Sequence, residues 1–261
     1  MLSKLLKNDL KKNMRWLWIL FVSTMAVAGV ARGCKELGEN IMFFKILGIF
    51  FDTVFYSLLA NSIIQPFLRG FFNFTKSFYG DESYLTHTLP VTKNQLINSK
   101  FLTVLIEILL GFACLIISIL IRFASPQMLN LIKILISSVV LGKFSVGLII
   151  TLFVILVIIE FFMFISIIYF SIVIAYRKKE KRVLNTFLYT ALTSFIALTA
   201  LSVIMLAVLS INGVKLSSTT LILSSSAFMS VLITGITMYS LITMLFYFLT
   251  KKEFNKGVNV D

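Results

Sequence analysis

Six long apolar runs dominate this 261-residue chain and fix most of what it can fold into. Each is close to the roughly 20 residues that a helix needs to cross a hydrocarbon layer about 30 Å thick. Helices suit that layer because their backbone polar groups are paired within the segment. The sequence predicts an all-α polytopic membrane protein, one domain over residues 1–261 with six transmembrane helices. The predicted spans are 14–30, 42–64, 101–123, 146–175, 186–209 and 221–249.

The distribution of positive charge predicts how the spans are oriented. A net charge of +13 would suggest a nucleic-acid partner in a soluble chain. Here Lys and Arg concentrate before span one, between spans two and three, between spans four and five, and after span six. Such an excess marks the cytoplasmic side of membrane proteins. We therefore expect both termini in the cytoplasm, lipid as a partner, and no nucleic acid.

The amino-terminal residues have a two-sided pattern of their own. At 100° per residue, the leucines of residues 1–13 share one side and the lysines another, which predicts an amphipathic elbow helix along the inner leaflet. A cationic flank that only orients span one explains the pattern equally well. The first run also resembles a cleavable signal peptide, with Ala26-Val27-Ala28 near its end. Cleavage would remove one span without reversing the others.

The longest polar stretch lies between spans two and three. Pro66 and Gly70 predict the end of the second membrane run. Gly80 and Asp81 then offer a turn and a helix start, and Pro90 stops whatever helix follows. A short helix of about two turns fits between them. The chain leaves the membrane here.

The residues after Pro90 carry a specific signal for the start of a helix. Thr92 and Gln95 match a capping box, in which the threonine caps the helix and the glutamine reaches back. Val91 and Leu96 stand at the two positions of a hydrophobic staple. The sequence predicts a helix that begins near Lys93 and runs unbroken into span three.

Apart from Arg15 and Arg122 at the ends of spans, four ionisable residues fall inside the predicted spans, where each would cost a few kcal/mol facing lipid. They are Lys45, Asp52, Glu107 and Glu160. Lys45 and Asp52 are seven residues apart on one helical face, so we expect them to share neighbours. Asp52 and Glu160 are candidates for a translocation path or an ion-coupling site. The alternative is structural: Lys45 reaches outward, Glu107 sits near the inner interface, and only the other two are deep.

The chain offers little for metal, redox or phosphate chemistry. Cys34 and Cys114 have no metal or redox spacing, and His87 is the only histidine. A phosphate-binding loop is also missing, since Gly142-Lys143 has Ser137 where the first glycine should stand. We expect no metal, no bound cofactor and no enzymatic activity. On the other side of the membrane, Ser125-Pro126 predicts the start of an outer interfacial segment over residues 124–144.

The polar stretch resembles a known family. Residues 80–91 read GDESYLTHTLPV, which is similar to the Asp-Glu-Gly-Tyr-Leu-Thr-His-Thr-Leu-Pro phrase in bacterial permease subunits of type-2 ATP-binding-cassette exporters. Ser83 stands where that family often has glycine. Six spans and an amino-terminal elbow helix resemble the family over the whole chain, although that layout fits many transporters.

The resemblance implies a function, a location and partners. Residues 66–100 would be a cytoplasmic coupling region that docks on a separate ATPase subunit, which would bind ATP and magnesium. A second permease subunit, identical or different, would complete the exporter in the bacterial plasma membrane. The substrate would be an amphipathic peptide, a drug or a lipid-like molecule moved outward. The docking residues would be Asp81, Glu82, Tyr84, Leu85 and His87, with Thr92 and Gln95 starting the helix that acts as a lever.

Three other interpretations stay open. The polar stretch would be an inert loop if its acids only cap a helix. An ion-coupled secondary transporter would use Asp52 and Glu160, although such folds often show repeated halves and broken spans, which this sequence lacks. A membrane sensor or assembly subunit would bind partners and move nothing.

Overall fold

The computed structural model describes residues 2–38, 41–80, 82–88, 90–123, 140–141, 144–177, 181–213 and 225–256. Within these ranges the chain is almost entirely helical. The elements are α1 Leu2–Leu37, α2 Met42–Tyr79, α3 Ser83–Thr88, α4 Lys93–Phe123, β1 Val140–Leu141, β2 Phe144–Ser145, α5 Val146–Ala175, α6 Arg182–Ile211 and α7 Ser225–Asn255. The two short strands pair antiparallel.

Six of these helices are long and apolar enough to cross a membrane: α1, α2, α4, α5, α6 and α7. The predicted all-α, multi-pass membrane architecture is thereby confirmed by length and composition. Helix α5 has the bounds predicted for span four, and α4 begins at Lys93 as the capping box predicted. The other helices extend beyond their predicted spans because the polar residues at their ends also fold as helix.

The elbow helix expected over residues 1–13 is not a separate element. A single helix runs from Leu2 to Leu37. No glycine or proline interrupts it before Gly29, so nothing in the backbone favours a break. Asp9 and Asn13, which interrupt the apolar side, find partners on α4. The two polar residues on the leucine side therefore serve contacts with α4.

Helix α2 continues past Pro66 and Gly70, where the sequence predicts the end of the second membrane run. It continues to Tyr79 with Pro66 inside it. A proline costs an interior hydrogen bond, yet membrane helices tolerate it where neighbours cover the freed groups. Pro66 is buried against α4, and its Cγ lies 3.6 Å from the position a Cβ on Gly111 would take.

The short helix expected before Pro90 is present as α3, but it begins at Ser83. Glu82 therefore precedes the helix and does not lie in its first turn. Most of the predicted outer segment over 124–144 falls outside the described residues. Val140 and Leu141, near its end, form β1 where a helix was expected.

The chain divides into two compact units. The first comprises Met1–Phe74 and Leu89–Asn130, and the second comprises Thr75–Thr88 and Leu131–Asp261. In the first unit, Leu17 and Phe21 of α1 pack on Cys114 of α4. Gly111 is required there, because a Cβ on it would lie 2.6 Å from the carbonyl oxygen of Ser62 on α2.

The second unit is built around three helices. Met163 and Ile167 of α5, Ala197 and Leu201 of α6, and Tyr239 of α7 form its buried cluster. The helices approach closely because one position between them is glycine. A Cβ on Gly235 would come within 2.8 Å of a Leu156 methyl group and 3.1 Å of the Met205 terminal methyl. Both units thus depend on small residues at helix crossings, as membrane bundles commonly do.

Candidate functional site

The connection between α2 and α4 is built by local hydrogen bonds. The backbone N–H of Gly80 donates to the carbonyl of Lys76 at 3.3 Å, and Ser83 N–H donates to the Gly80 carbonyl at 2.9 Å. The carbonyl of Glu82 then accepts from the backbone N–H and the hydroxyl of Thr86, at 3.0 and 2.9 Å. The turn therefore leads directly into α3.

Helix α3 has one buried and one exposed side. Ser83 is 5% exposed, whereas the next two side chains, Tyr84 and Leu85, are 76% and 68% exposed. An aromatic and an aliphatic side chain together on a solvent-facing turn are the kind of pair that anchors a protein interface. Both are among the predicted docking residues.

The other predicted docking residues have different positions. The Glu82 carboxylate lies 3.6 Å from the Lys76 ammonium in the last turn of α2, a partly exposed ion pair. Its charge is therefore partly engaged within the chain. Asp81 lies outside the described residues. The backbone of His87 belongs to α3, but its side chain lies outside what the structure describes.

Aromatic pairs hold the end of α2 against other helices of the second unit. Phe78 and Phe254 of α7 are both fully buried, with ring centroids 4.8 Å apart in an edge-to-face arrangement. Tyr79 lies 4.3 Å, centroid to centroid, from Tyr176, which follows α5. Pairs of this geometry add to the free energy gained by burial. These contacts could not be predicted from the sequence, because each joins segments far apart in the chain.

An ion cluster ties the end of α5 to α7 nearby. The Arg177 guanidinium donates to the carbonyl oxygen of Glu253 at 2.7 Å and forms an ion pair with its carboxylate. Lys256 donates to the same carboxylate at 2.6 Å. Burial raises the pKa of the neighbouring Tyr176 hydroxyl, while the positive charge of Arg182 acts in the opposite direction. Tyr176 is therefore a neutral packing residue at physiological pH.

The predicted capping box at the start of α4 is present. The Gln95 backbone N–H donates to the Thr92 hydroxyl at 3.4 Å, and the Thr92 N–H donates to the Gln95 side-chain oxygen at 3.3 Å. This signal was readable from the sequence because it spans only four residues. The two hydrogen bonds establish where α4 begins and do not by themselves make it a lever.

Polar side chains join α1 to α4 in the first unit. Asp9 accepts from the Ser99 hydroxyl at 2.7 Å and from the Lys100 ammonium at 2.8 Å. The Asn13 amide donates to Glu107 at 2.7 Å. Glu107 is fully buried, and its other carboxylate oxygen has no hydrogen bond to any described residue. Glu107 therefore faces protein, as the cost of a charge in lipid requires.

Asp52 has a partner that the sequence did not suggest. Arg122 at the end of α4 donates to both of its carboxylate oxygens, at 2.7 Å from Nε and 2.8 Å from Nη2. Lys45 lies near the same residues, as its place on one helical face with Asp52 predicts, and forms no ion pair with a described residue. Because the pair is bidentate, Asp52 has an evident role in joining α2 to α4.

Glu160 belongs to the second unit and Asp52 to the first. Glu160 lies partly exposed on α5 and makes no hydrogen bond or ion pair with the part of the chain that the structure describes. Within the same ranges, no group of three or more His, Cys, Asp and Glu residues is arranged to hold a metal ion.

Comparison with known proteins adds no identification. No protein-family model, curated protein or solved structure matches the chain. A function must therefore be argued from the residues and their geometry.

Proposed function

We propose that this chain is the transmembrane subunit of an ATP-driven exporter, coupled to a separate cytoplasmic ATPase through the connection between α2 and α4. The observation that carries the proposal is the exposed Tyr84-Leu85 pair on α3, within a segment that resembles the coupling region of type-2 permeases. The proposal includes a second permease subunit and an amphipathic peptide, drug or lipid-like substrate moved outward across a bacterial plasma membrane.

The contacts made by the chain before and after α3 favour this proposal over an inert loop. A docking element that transmits force must not yield, and α3 is flanked by fixed points. On one side, Phe78 and Tyr79 pack on aromatic partners. On the other, the Thr92–Gln95 hydrogen bonds cap the start of α4. An inert loop needs neither arrangement.

The charge pattern supports a cytoplasmic position for this region. The cations near the amino terminus, those around α3 and those near the carboxyl terminus would all lie on one side if both termini are cytoplasmic. A cytoplasmic ATPase can dock only on that side. The proposal assigns ATP hydrolysis to a separate subunit, and this sequence contains no phosphate-binding loop.

The test is affinity purification of the tagged full chain from its own host cells, followed by an ATP hydrolysis assay of the recovered complex in lipid. We expect hydrolysis with the unaltered chain. The double variant Tyr84→Ala/Leu85→Ala should reduce the recovered hydrolysis at least about tenfold, because central interface anchors each contribute on the order of 2 kcal/mol.

A matched control removes an equally exposed aromatic-aliphatic pair elsewhere. Phe187 and Leu188 on α6 are 72% and 54% exposed, and Phe187→Ala/Leu188→Ala should retain the hydrolysis. Full hydrolysis and export in the Tyr84→Ala/Leu85→Ala variant would refute docking at α3. Transport that follows an ion gradient and needs no ATP would instead identify a secondary transporter, and partner binding without transport would identify a sensor.

A further inference from the structure

A cavity of about 450 Å³ lies in the first unit, where α1 ends, α2 begins and α4 ends. Along α1, the cavity lies at the opposite end from Asp9 and Asn13, which bind α4. None of the proposed docking residues lines it. Its lining residues are Lys35, Gly38, Lys45, Gly48, Ile49, Asp52 and Arg122.

The lining carries an excess of positive charge. Three cations face the single carboxylate of Asp52. Lys35 and Lys45 are exposed, and neither forms an ion pair with a described residue. Arg122 is held rigidly because Nε and Nη2 are both bound to Asp52. Its Nη1 makes no hydrogen bond within the described ranges and can donate to a ligand.

The backbone around the cavity is shaped for close approach of two helices. A Cβ on Gly38 would lie 3.0 Å from the backbone nitrogen of Lys45 and 2.9 Å from the Cys34 carbonyl oxygen. A side chain at this position would push the start of α2 away from the end of α1. Glycine therefore allows the end of α1 and the start of α2, which carry Lys35 and Lys45, to line one cavity.

We propose that this cavity binds a phosphate group, carried either by an anionic phospholipid headgroup or by a soluble phosphate ester. One fixed guanidinium and two lysine ammonium groups are the donors that commonly bind phosphate. The volume falls within the usual range for ligand pockets and leaves room for the alcohol attached to the phosphate. Exposed Phe43, Ile46 and Phe50 lie on the same stretch of α2 and offer acyl chains an apolar surface.

The test uses the purified full chain in neutral detergent and measures binding of phosphatidylglycerol, phosphatidylcholine and glycerol phosphate. Phosphatidylglycerol should bind more tightly than phosphatidylcholine, whose headgroup carries no net charge. Lys35→Gln/Lys45→Gln should weaken that binding at least about tenfold, because it removes both mobile charged donors. The control Lys7→Gln/Lys11→Gln removes the same charge from exposed positions near the other end of α1 and should bind as before.

The outcomes separate the two sources of phosphate. Binding of both phosphatidylglycerol and glycerol phosphate shows that the phosphate ester suffices, and binding of the lipid alone identifies the headgroup with its chains. Either result supports the site. The proposal is overturned if neither ligand binds, or if the two double variants lose affinity equally. Should Lys35→Gln/Lys45→Gln fail to fold, the single variant Lys35→Gln, at an exposed position, gives the same comparison.

Discussion

The ion pair between Asp52 and Arg122 predicts unequal effects when either partner is removed. The Arg122 side chain is 4% exposed, whereas that of Asp52 is 31% exposed. Removing one member of a buried pair leaves the other charge without compensation, which costs about 3–5 kcal/mol when that charge is fully buried. A carboxylate that lines an open cavity beside lysine side chains is compensated in part. The residue left behind therefore decides the cost.

Asp52→Asn strands the buried guanidinium, so we expect the free energy of unfolding to fall by about 3 kcal/mol. Arg122→Met keeps an unbranched side chain in place and leaves a carboxylate that lines the cavity beside Lys45, so we expect a loss of about 1 kcal/mol. The double variant removes both charges. It should be no less stable than Asp52→Asn alone, since no unpaired ion remains.

These free energies can be measured by equilibrium unfolding in mixed micelles with increasing sodium dodecyl sulfate, followed by far-ultraviolet circular dichroism. A double-mutant cycle then isolates the coupling between the two side chains. Equal losses for the single variants, or a larger loss for Arg122→Met, would contradict the burial argument. If the double variant also transports normally, Asp52 is excluded from a translocation path and its role is structural.

Three further predictions use the same unfolding measurement. Gly111→Ala should lower the free energy of unfolding by about 1–3 kcal/mol, because the added methyl group meets a carbonyl oxygen of α2. The control Gly33→Ala should not destabilise the protein, since no atom lies within 4 Å of the added Cβ. Equal effects of the two variants would contradict the close approach of α4 to α2 at Gly111. Asn13→Ala should cost about 1–3 kcal/mol by depriving buried Glu107 of its donor, and Glu107→Gln in the same chain should recover part of that loss. Thr92→Val should cost about 1 kcal/mol by removing the cap of α4, and no loss would show that the cap is redundant.

The features predicted correctly from the sequence are those encoded within a few residues of each other. The apolar length of the spans is one, and the bounds of α5 follow from a run without charges except Glu160. The Thr92–Gln95 box is another, because its four residues contain both hydrogen bonds. Local patterns of this kind require no knowledge of which helices are neighbours.

The errors arose where a residue's role depends on a distant partner. The leucine and lysine pattern of residues 1–13 predicts a surface helix, but Asp9 within it binds Ser99 and Lys100 of α4, about ninety residues later. Pro66 predicts the end of the second membrane run, yet α2 continues past it because α4 covers the proline. Lys45 and Asp52 line one cavity, as their shared helical face predicts, but the ion-pair partner of Asp52 is Arg122, seventy residues away. Periodicity within one helix does not show which other helix it faces.

The proposed coupling role depends most on how the ends of α3 are held. Thr75–Thr88 belong to the second unit, and Leu89–Asn130, which include α4, belong to the first. A partner that pushes on Tyr84 and Leu85 would therefore act on α7 through the buried Phe78–Phe254 contact and on α4 through the covalent chain and its capped start. If only one end of α3 were held, the other end would move freely and less of the displacement would be transmitted. The aromatic packing before α3 and the capped start of α4 after it are the contacts on which the proposed coupling role rests.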